Sequence, residues 1–229
     1  MVVTSHCGMA KVMRLAIAIF AKTPGFTPAK TRLAARLGVS VAEQVHAVLV
    51  ARSVRLAKAC LRAGYYVRFA IAENHPDAFA WWQRHGVEVI WTGPGSLGQR
   101  MQRVHDCLCV VHGNGVLLGT DVPAMSAYRL DDVVRQLIKH RMVFGPALDG
   151  GMYLFASRLR LPPRCWHRPV WGGPSAGQEF LQGLRRFSSV RPICLEPLPD
   201  FDVFEDWPLN EPYLAPCDAD RVRLDTLLS

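Results

Sequence analysis

The sequence predicts an α/β fold: one mostly parallel sheet with helices on both faces. Three observations carry this. Short apolar runs recur along the chain, helical periodicities separate most of them, and all but one of the gaps are long enough for a crossover helix. The runs fall at residues 15–20, 65–71, 87–91, 116–118, 142–144, 152–155 and 190–195, giving about seven strands. Apolar residues at helical spacing place helices over 41–63, 77–85, 97–112, 128–140 and 175–186. The exception is GPALDGG, which alone separates the fifth and sixth runs. It is too short for a parallel crossover, so one strand is expected to run antiparallel. Residues 161–171, crowded with Pro and Trp, read as a loop or lid.

At 229 residues, half of them hydrophobic, the chain can bury a sizeable core as one domain without staples. That domain is read over 14–229, after a flexible leader over 1–13. The apolar stretch at 15–21 is too short for a signal peptide or a membrane span and is followed at once by Lys22, so it reads as the first buried strand. Seven cysteines without paired spacing point to a reducing compartment, and a cytoplasmic protein with no membrane partner is expected. A formal charge of +8 favours anionic partners; with no DNA- or RNA-reading motif, nucleic acid is not among those expected. Arg52, Arg55, Lys58 and Arg62 lie opposite Val45, Leu49, Leu56 and Cys60 on one helix and read as a solvated face.

The chemistry concentrates in turns after strands. In GVLLGTDVPAM the apolar run ends at Gly119, where the backbone can turn, and Pro123 stops the ladder. Asp121 is thereby delivered to a carboxyl edge of the sheet, where α/β proteins place ligands. GPALDGG similarly delivers Asp149 beside Gly150 and Gly151. Two acidic turns on neighbouring strands suit a metal-bound, phosphate-bearing ligand, although Asp also caps helices and braces turns.

After the first strand, PGFTPAKT has P-loop spacing with Pro24 and Ala29 in the glycine positions, so a P-loop cradle is not expected. Lys22, Lys30 and Arg32 nevertheless put three cations where a polyphosphate would suit them. GPGSLG at 93–98 matches a dinucleotide fingerprint, but Pro94 removes one of the amides that should bind pyrophosphate. GPSAG at 173–177 has the nucleophile-elbow pattern, yet no histidine follows Ser175. His105, Cys109 and His112 share a helix flank with no fourth zinc ligand in view.

Taken in order, FAKTPGFTPAKTRLA, GSLGQRM, LLGTDVPAM, FGPALDGGMYLF, PVWGG and DFDVFEDW resemble a bacterial family of GT-A-like transferases, over about residues 15–207. These are distant relatives of nucleotide-diphospho-sugar transferases, including the molybdenum-cofactor and 2-phospholactate nucleotidyltransferases. Members are commonly called glycosyltransferases, some associated with arsenosugar biosynthesis genes. The resemblance implies a single-domain GT-A fold and a Mg²⁺- or Mn²⁺-dependent enzyme that binds a nucleotide sugar and passes the glycosyl group to a small acceptor. Nucleotidyl transfer from an NTP, and a non-catalytic nucleotide-binding protein, are the alternatives.

By the same resemblance, Lys22, Lys30 and Arg32 contact base and phosphates. Asp121 is a metal ligand, and Asp202, in the acidic turn with Asp200, is a second. Gly95, Leu97 and Gly98 form a Gly-Leu-Gly turn, so Gly95 and Gly98 join Gly150 and Gly151 as candidate substrate-binding positions. Asp149 either orients or deprotonates the acceptor hydroxyl or braces its turn. The chain departs from its relatives at Met152, where they carry an aromatic, and at Gly172-Gly173, where they carry a Ser/Thr pair. The second departure leaves the acceptor open.

Overall fold

The structure, a computed structural model, describes residues 13–229. Of the leader expected over 1–13, only Met13 falls among them; the rest lies outside the described residues. The strands are β1 (Ala16–Ala21), β2 (Tyr66–Ile71), β3 (Val89–Trp91), β4 (Gly115–Gly119), β5 (Met142–Pro146), β6 (Met152–Ser157) and β7 (Ile193–Cys194). They form one sheet in the order β3-β2-β1-β4-β6-β5-β7. β6 runs antiparallel to β4 and β5 and every other pairing is parallel, as the short GPALDGG turn requires.

The helices are α1 (Thr31–Leu37), α2 (Val39–Arg62), α3 (Pro76–Arg84), α4 (Leu97–His112), α5 (Ala127–Lys139), α6 (Pro163–His167), α7 (Ala176–Phe187), α8 (Trp207–Asn210) and α9 (Ala219–Leu228). Strand alternation sorts the core into two layers. Leu15, Ile17 and Ile19 pack with Val50 and Val54 of α2, Trp82 of α3 and Leu130 and Val133 of α5. Ala16 and Ala18 pack with Met101 of α4, Trp166 of α6 and Phe180 of α7. Both faces are covered, which is why the strands read as unbroken apolar runs. None of the helices among the described residues is long and apolar enough to cross a membrane.

Two expectations are corrected. Residues 161–171 are a loop only at their ends: α6 occupies 163–167 and buries Cys165 and Trp166 completely, and Trp166 packs on Phe155 and Phe180. Five residues are too few to show a helical period. The basic face of α2 is not simply solvated either. Arg52 Nη1 lies 3.0 Å from Asp218 and 3.3 Å from Asp220, and Arg55 also pairs with Asp220, so the C-terminal segment neutralises part of that face.

That segment builds a third cluster. Leu33 of α1, Val45 and Leu49 of α2, and Phe201, Trp207, Leu214 and Leu224 pack together, with Leu33 and Phe201 fully buried. Burying side chains of this size contributes about 1.5–3 kcal/mol each. The cluster fixes α1, just after the Lys22–Lys30 loop, against the acidic turn at 200–202.

His105 is fully buried between Phe155 and Trp166, with ring centroids 5.4 and 5.2 Å away. Its neighbour Cys109 has its thiol pushed up to about 12 by burial, and His112 instead packs on Tyr66, with ring centroids 4.2 Å apart and the rings tilted. The described residues hold no cluster of three potential metal ligands. Burial pushes His105 down to about 3, so between that value and about 6.5 the unfolded chain binds the extra proton. Its stabilising contribution is therefore complete above about pH 6.5 and shrinks on acidification, by about 2 kcal/mol at pH 5. Urea unfolding at pH 7.5 and 5 should show this loss in the native protein and a smaller one in His105→Gln; equal losses would remove His105 as the cause.

Candidate active site

A cleft of about 380 Å³ opens at the carboxyl ends of β1, β2 and β4, lined by Lys22, Lys30, Arg32, His46, Arg100, Asp121 and Asp202 among others. All three predicted loop cations and both predicted metal ligands thus meet in one place.

The loop after β1 is pinned at its start. Thr23 donates from its backbone N and its hydroxyl to the Glu73 carboxylate at 3.1 and 2.9 Å, and Trp82 Nε1 donates to the Thr23 hydroxyl at 2.9 Å. Lys22 Nζ closes the loop by donating to the Pro28 carbonyl at 2.7 Å. The loop ends at Lys30, the one non-glycine residue with positive φ among those described (φ 52°, ψ 43°). Such a conformation costs about 1–3 kcal/mol and persists only where the surroundings hold it. Here they do: Lys30 Nζ lies 2.7 Å from Asp121 Oδ1 and 2.7 Å from Asp202 Oδ1, with 2% of its side chain exposed. Burial alone would drive the proton off, but the two carboxylates outweigh it and raise Lys30 above the ordinary lysine value.

The carboxylates are brought together by backbone. Phe201 N donates to the Asp121 carbonyl at 2.8 Å, joining the acidic turn to the end of β4, while Asp202 N and Val203 N each donate to Asp206 at 2.8 Å. Arg32 Nη2 sits 2.6 Å from Asp202 Oδ2. Burial would raise the Asp202 carboxyl, but Lys30 and Arg32 reverse this and hold it below the usual carboxylate range. Asp200 makes no ion pair with either cation; burial, then Asp149 and Asp202, push it up to about 7.

Other predicted positions are not among the residues that line the cleft, although Asp149 is close enough to act on Arg32 and Asp200. Asp149 Oδ1 accepts from Gly151 N at 2.8 Å, the turn-bracing arrangement. Gly150 has φ 90°, and a Cβ there would strike the Pro174 carbonyl. A Cβ on Gly98 would strike the Trp166 carbonyl and the Trp171 indole, so this glycine lets α4 approach α6. Gly95 lines a separate surface depression with Pro94 and Gln99. Packing or turn geometry accounts for Gly98, Gly150 and Asp149 as placed.

Two cleft residues escaped the sequence reading. The Nε of Arg100 is buried with no hydrogen-bond partner. Arg100 lies inside the GSLGQRM motif, the one sequence signal that marks it. His46 Nε2 donates to the Lys22 carbonyl at 3.1 Å, Nδ1 is left without a partner, and burial lowers the ring's pKa below the ordinary histidine value, so it is neutral at pH 7. A lone histidine on the buried side of a helix carries no such signal.

Asp121 and Asp202 are the right donor class for Mg²⁺ or Mn²⁺, which commonly take one or two carboxylates together with substrate phosphates.

Among solved structures the chain is similar to a "putative nucleotide-diphospho-sugar transferase" from Desulfovibrio desulfuricans G20. The TM-score is 0.81 at 19% identity, covering 93% of this chain and 96% of that one. It is also similar to a 4-diphosphocytidyl-2C-methyl-D-erythritol synthase from Anaerococcus prevotii DSM 20548, with TM-score 0.54, 10% identity, and 87% and 98% of the two chains covered. A cytidylyltransferase from Leptospira borgpetersenii serovar Hardjo-bovis (strain JB197) gives TM-score 0.50 at 18% identity, with 94% of each chain covered. These likenesses establish the fold, that of the nucleotide-diphospho-sugar transferases. No curated protein matches the sequence. A family model described as "Uncharacterized protein conserved in bacteria" matches residues 55–173, just over half of the 229-residue chain and including Arg100 and Asp121. The chain belongs to this family, DUF2064.

Proposed function

We propose that the protein is a cytoplasmic, Mg²⁺- or Mn²⁺-dependent transferase that binds a nucleotide sugar in this cleft and passes the glycosyl group to a small acceptor. The observation that carries the reading is the charge arrangement: Lys22, Lys30, Arg32 and Arg100 gathered around Asp121 and Asp202 at the carboxyl edge of the sheet. Four cations around two carboxylates suit a diphosphate held with a divalent ion. Lys30, Arg32 and Lys22 would offset the phosphate charge from fixed positions. Asp121 and Asp202 would hold the ion, which when bound supplies positive charge against the departing nucleoside diphosphate. Arg100, with a buried and unpartnered Nε, is free to take an anionic or carbonyl oxygen of the nucleotide.

The leaving group tests the reading. Glycosyl transfer releases a nucleoside diphosphate, whereas nucleotidyl transfer releases pyrophosphate from an NTP. With Mn²⁺ and a panel of nucleotide sugars, slow nucleoside diphosphate release is expected from at least one, water substituting poorly for the acceptor. Pyrophosphate from an NTP without nucleotide-sugar turnover would replace this reading with nucleotidyl transfer. Silence in both assays despite tight nucleotide binding, even after acceptor screening, would make the protein a non-catalytic binder.

A further inference from the structure

We infer that the acceptor carries a compact apolar group, about the size of a benzene ring, seated in a second pocket that opens off the cleft. This rests on the transferase reading above. The pocket holds about 140 Å³ where the ends of β1 and β4 and the start of β6 meet α4, and its walls include Leu97, Met101, Leu117 and Met152. It shares Phe20 and Leu97 with the polar cleft, so one ligand can occupy both. No charged side chain lines it.

Gly119 is the pointed observation. It lies in β4 directly opposite Phe20 of β1, its φ is outside the left-handed region, and a Cβ built on it would meet nothing within 4 Å. Neither backbone geometry nor packing asks for glycine, and what its missing side chain leaves is open space facing the pocket. Glycine in a strand marks a bulge, a tight bend, or a close approach by a ligand or another backbone; at Gly119, the last residue of β4, no backbone crowds the missing Cβ, which leaves room for a ligand. Leu97, at the first turn of α4, is 47% exposed at the shared rim, where an apolar ligand would cover it.

An apolar cavity of about 150 Å³ accepts benzene, which sets the size class. A sugar or a nucleobase placed here would leave hydroxyl or amide groups without partners. The nucleotide therefore belongs to the polar part near Arg100 and Thr92, and the apolar pocket falls to the acceptor. In the transfer, the acceptor hydroxyl oxygen bonds to the anomeric carbon as the bond to the diphosphate oxygen breaks. The nucleoside diphosphate leaves with the electron pair and the hydroxyl proton passes to solvent.

The test is saturation-transfer NMR on the full chain with benzyl alcohol as probe and glycerol as polar control. Saturation transfer is expected to benzyl alcohol and not to glycerol, to be lost in Gly119→Val, where the new side chain fills the pocket, and to fall in Leu97→Asn. Circular dichroism reports whether each variant folds; Leu97, half exposed, remains testable should Gly119→Val not. No transfer in the native protein, or transfer unchanged in a folded variant, overturns the inference. Nucleoside diphosphate titration is the separate arm: nucleotide binding without probe binding sinks the apolar acceptor alone, whereas probe binding without nucleotide binding sinks the transferase reading on which it rests.

Discussion

Lys30→Met should weaken metal-free binding of a nucleoside diphosphate by about tenfold to a hundredfold, because losing one charge-assisted contact costs about 1.5–3 kcal/mol. In the free protein the Lys30 ammonium pairs with two carboxylates that otherwise face an incoming diphosphate, at 2.7 Å from each, and offsets one of their two charges. It is nearly inaccessible to water, so solvent screening does little to replace it. Arg32 provides an internal comparison. Its side chain is 60% exposed, and its ion pair with Asp202 belongs with surface pairs worth about 0–1 kcal/mol. Arg32→Ala should therefore cost less than Lys30→Met, and both should hurt the diphosphate more than the bare nucleoside. Titration calorimetry in EDTA reads all four combinations; equal losses for diphosphate and nucleoside would take Lys30 away from the phosphates.

Much of this was legible in the chain because it is local. Each strand announces itself by an apolar run, and GPALDGG dictates the antiparallel strand simply by being short. Asp121 is readable because strand, Gly, Asp and Pro follow one another in sequence. The pairing of Lys30 with Asp202 spans 172 residues, and no local period encodes it. It depends on Leu33 and Phe201 meeting in the third core cluster, and on the backbone bond from Phe201 to Asp121. The same limit explains Gly98 and Gly150. In sequence a glycine beside a site suggests ligand contact, but only the fold reveals that Trp166 and Pro174 crowd these two.

Asp121→Ala should separate metal from lysine, because its two effects have opposite signs. Without metal, removing a carboxylate from the phosphate side leaves diphosphate affinity unchanged or slightly stronger, by under about 1 kcal/mol given that 42% of the Asp121 side chain is exposed. With Mn²⁺, the native protein should gain affinity and the variant should gain nothing, since one of the two carboxylates proposed to hold the ion is gone. Nucleoside diphosphate release from a nucleotide sugar should fall with it. Asp202→Ala is the less informative choice: Asp202 also holds Lys30 and Arg32, so its loss would free two cations as well as a ligand position. Asp121 contacts Lys30 alone among the cations and keeps its backbone bond to Phe201 whatever its side chain. Calorimetric titrations of the folded variant with and without Mn²⁺ decide the matter. Metal enhancement that survives in Asp121→Ala would place the ion elsewhere and leave Lys30 as the principal charge facing the diphosphate.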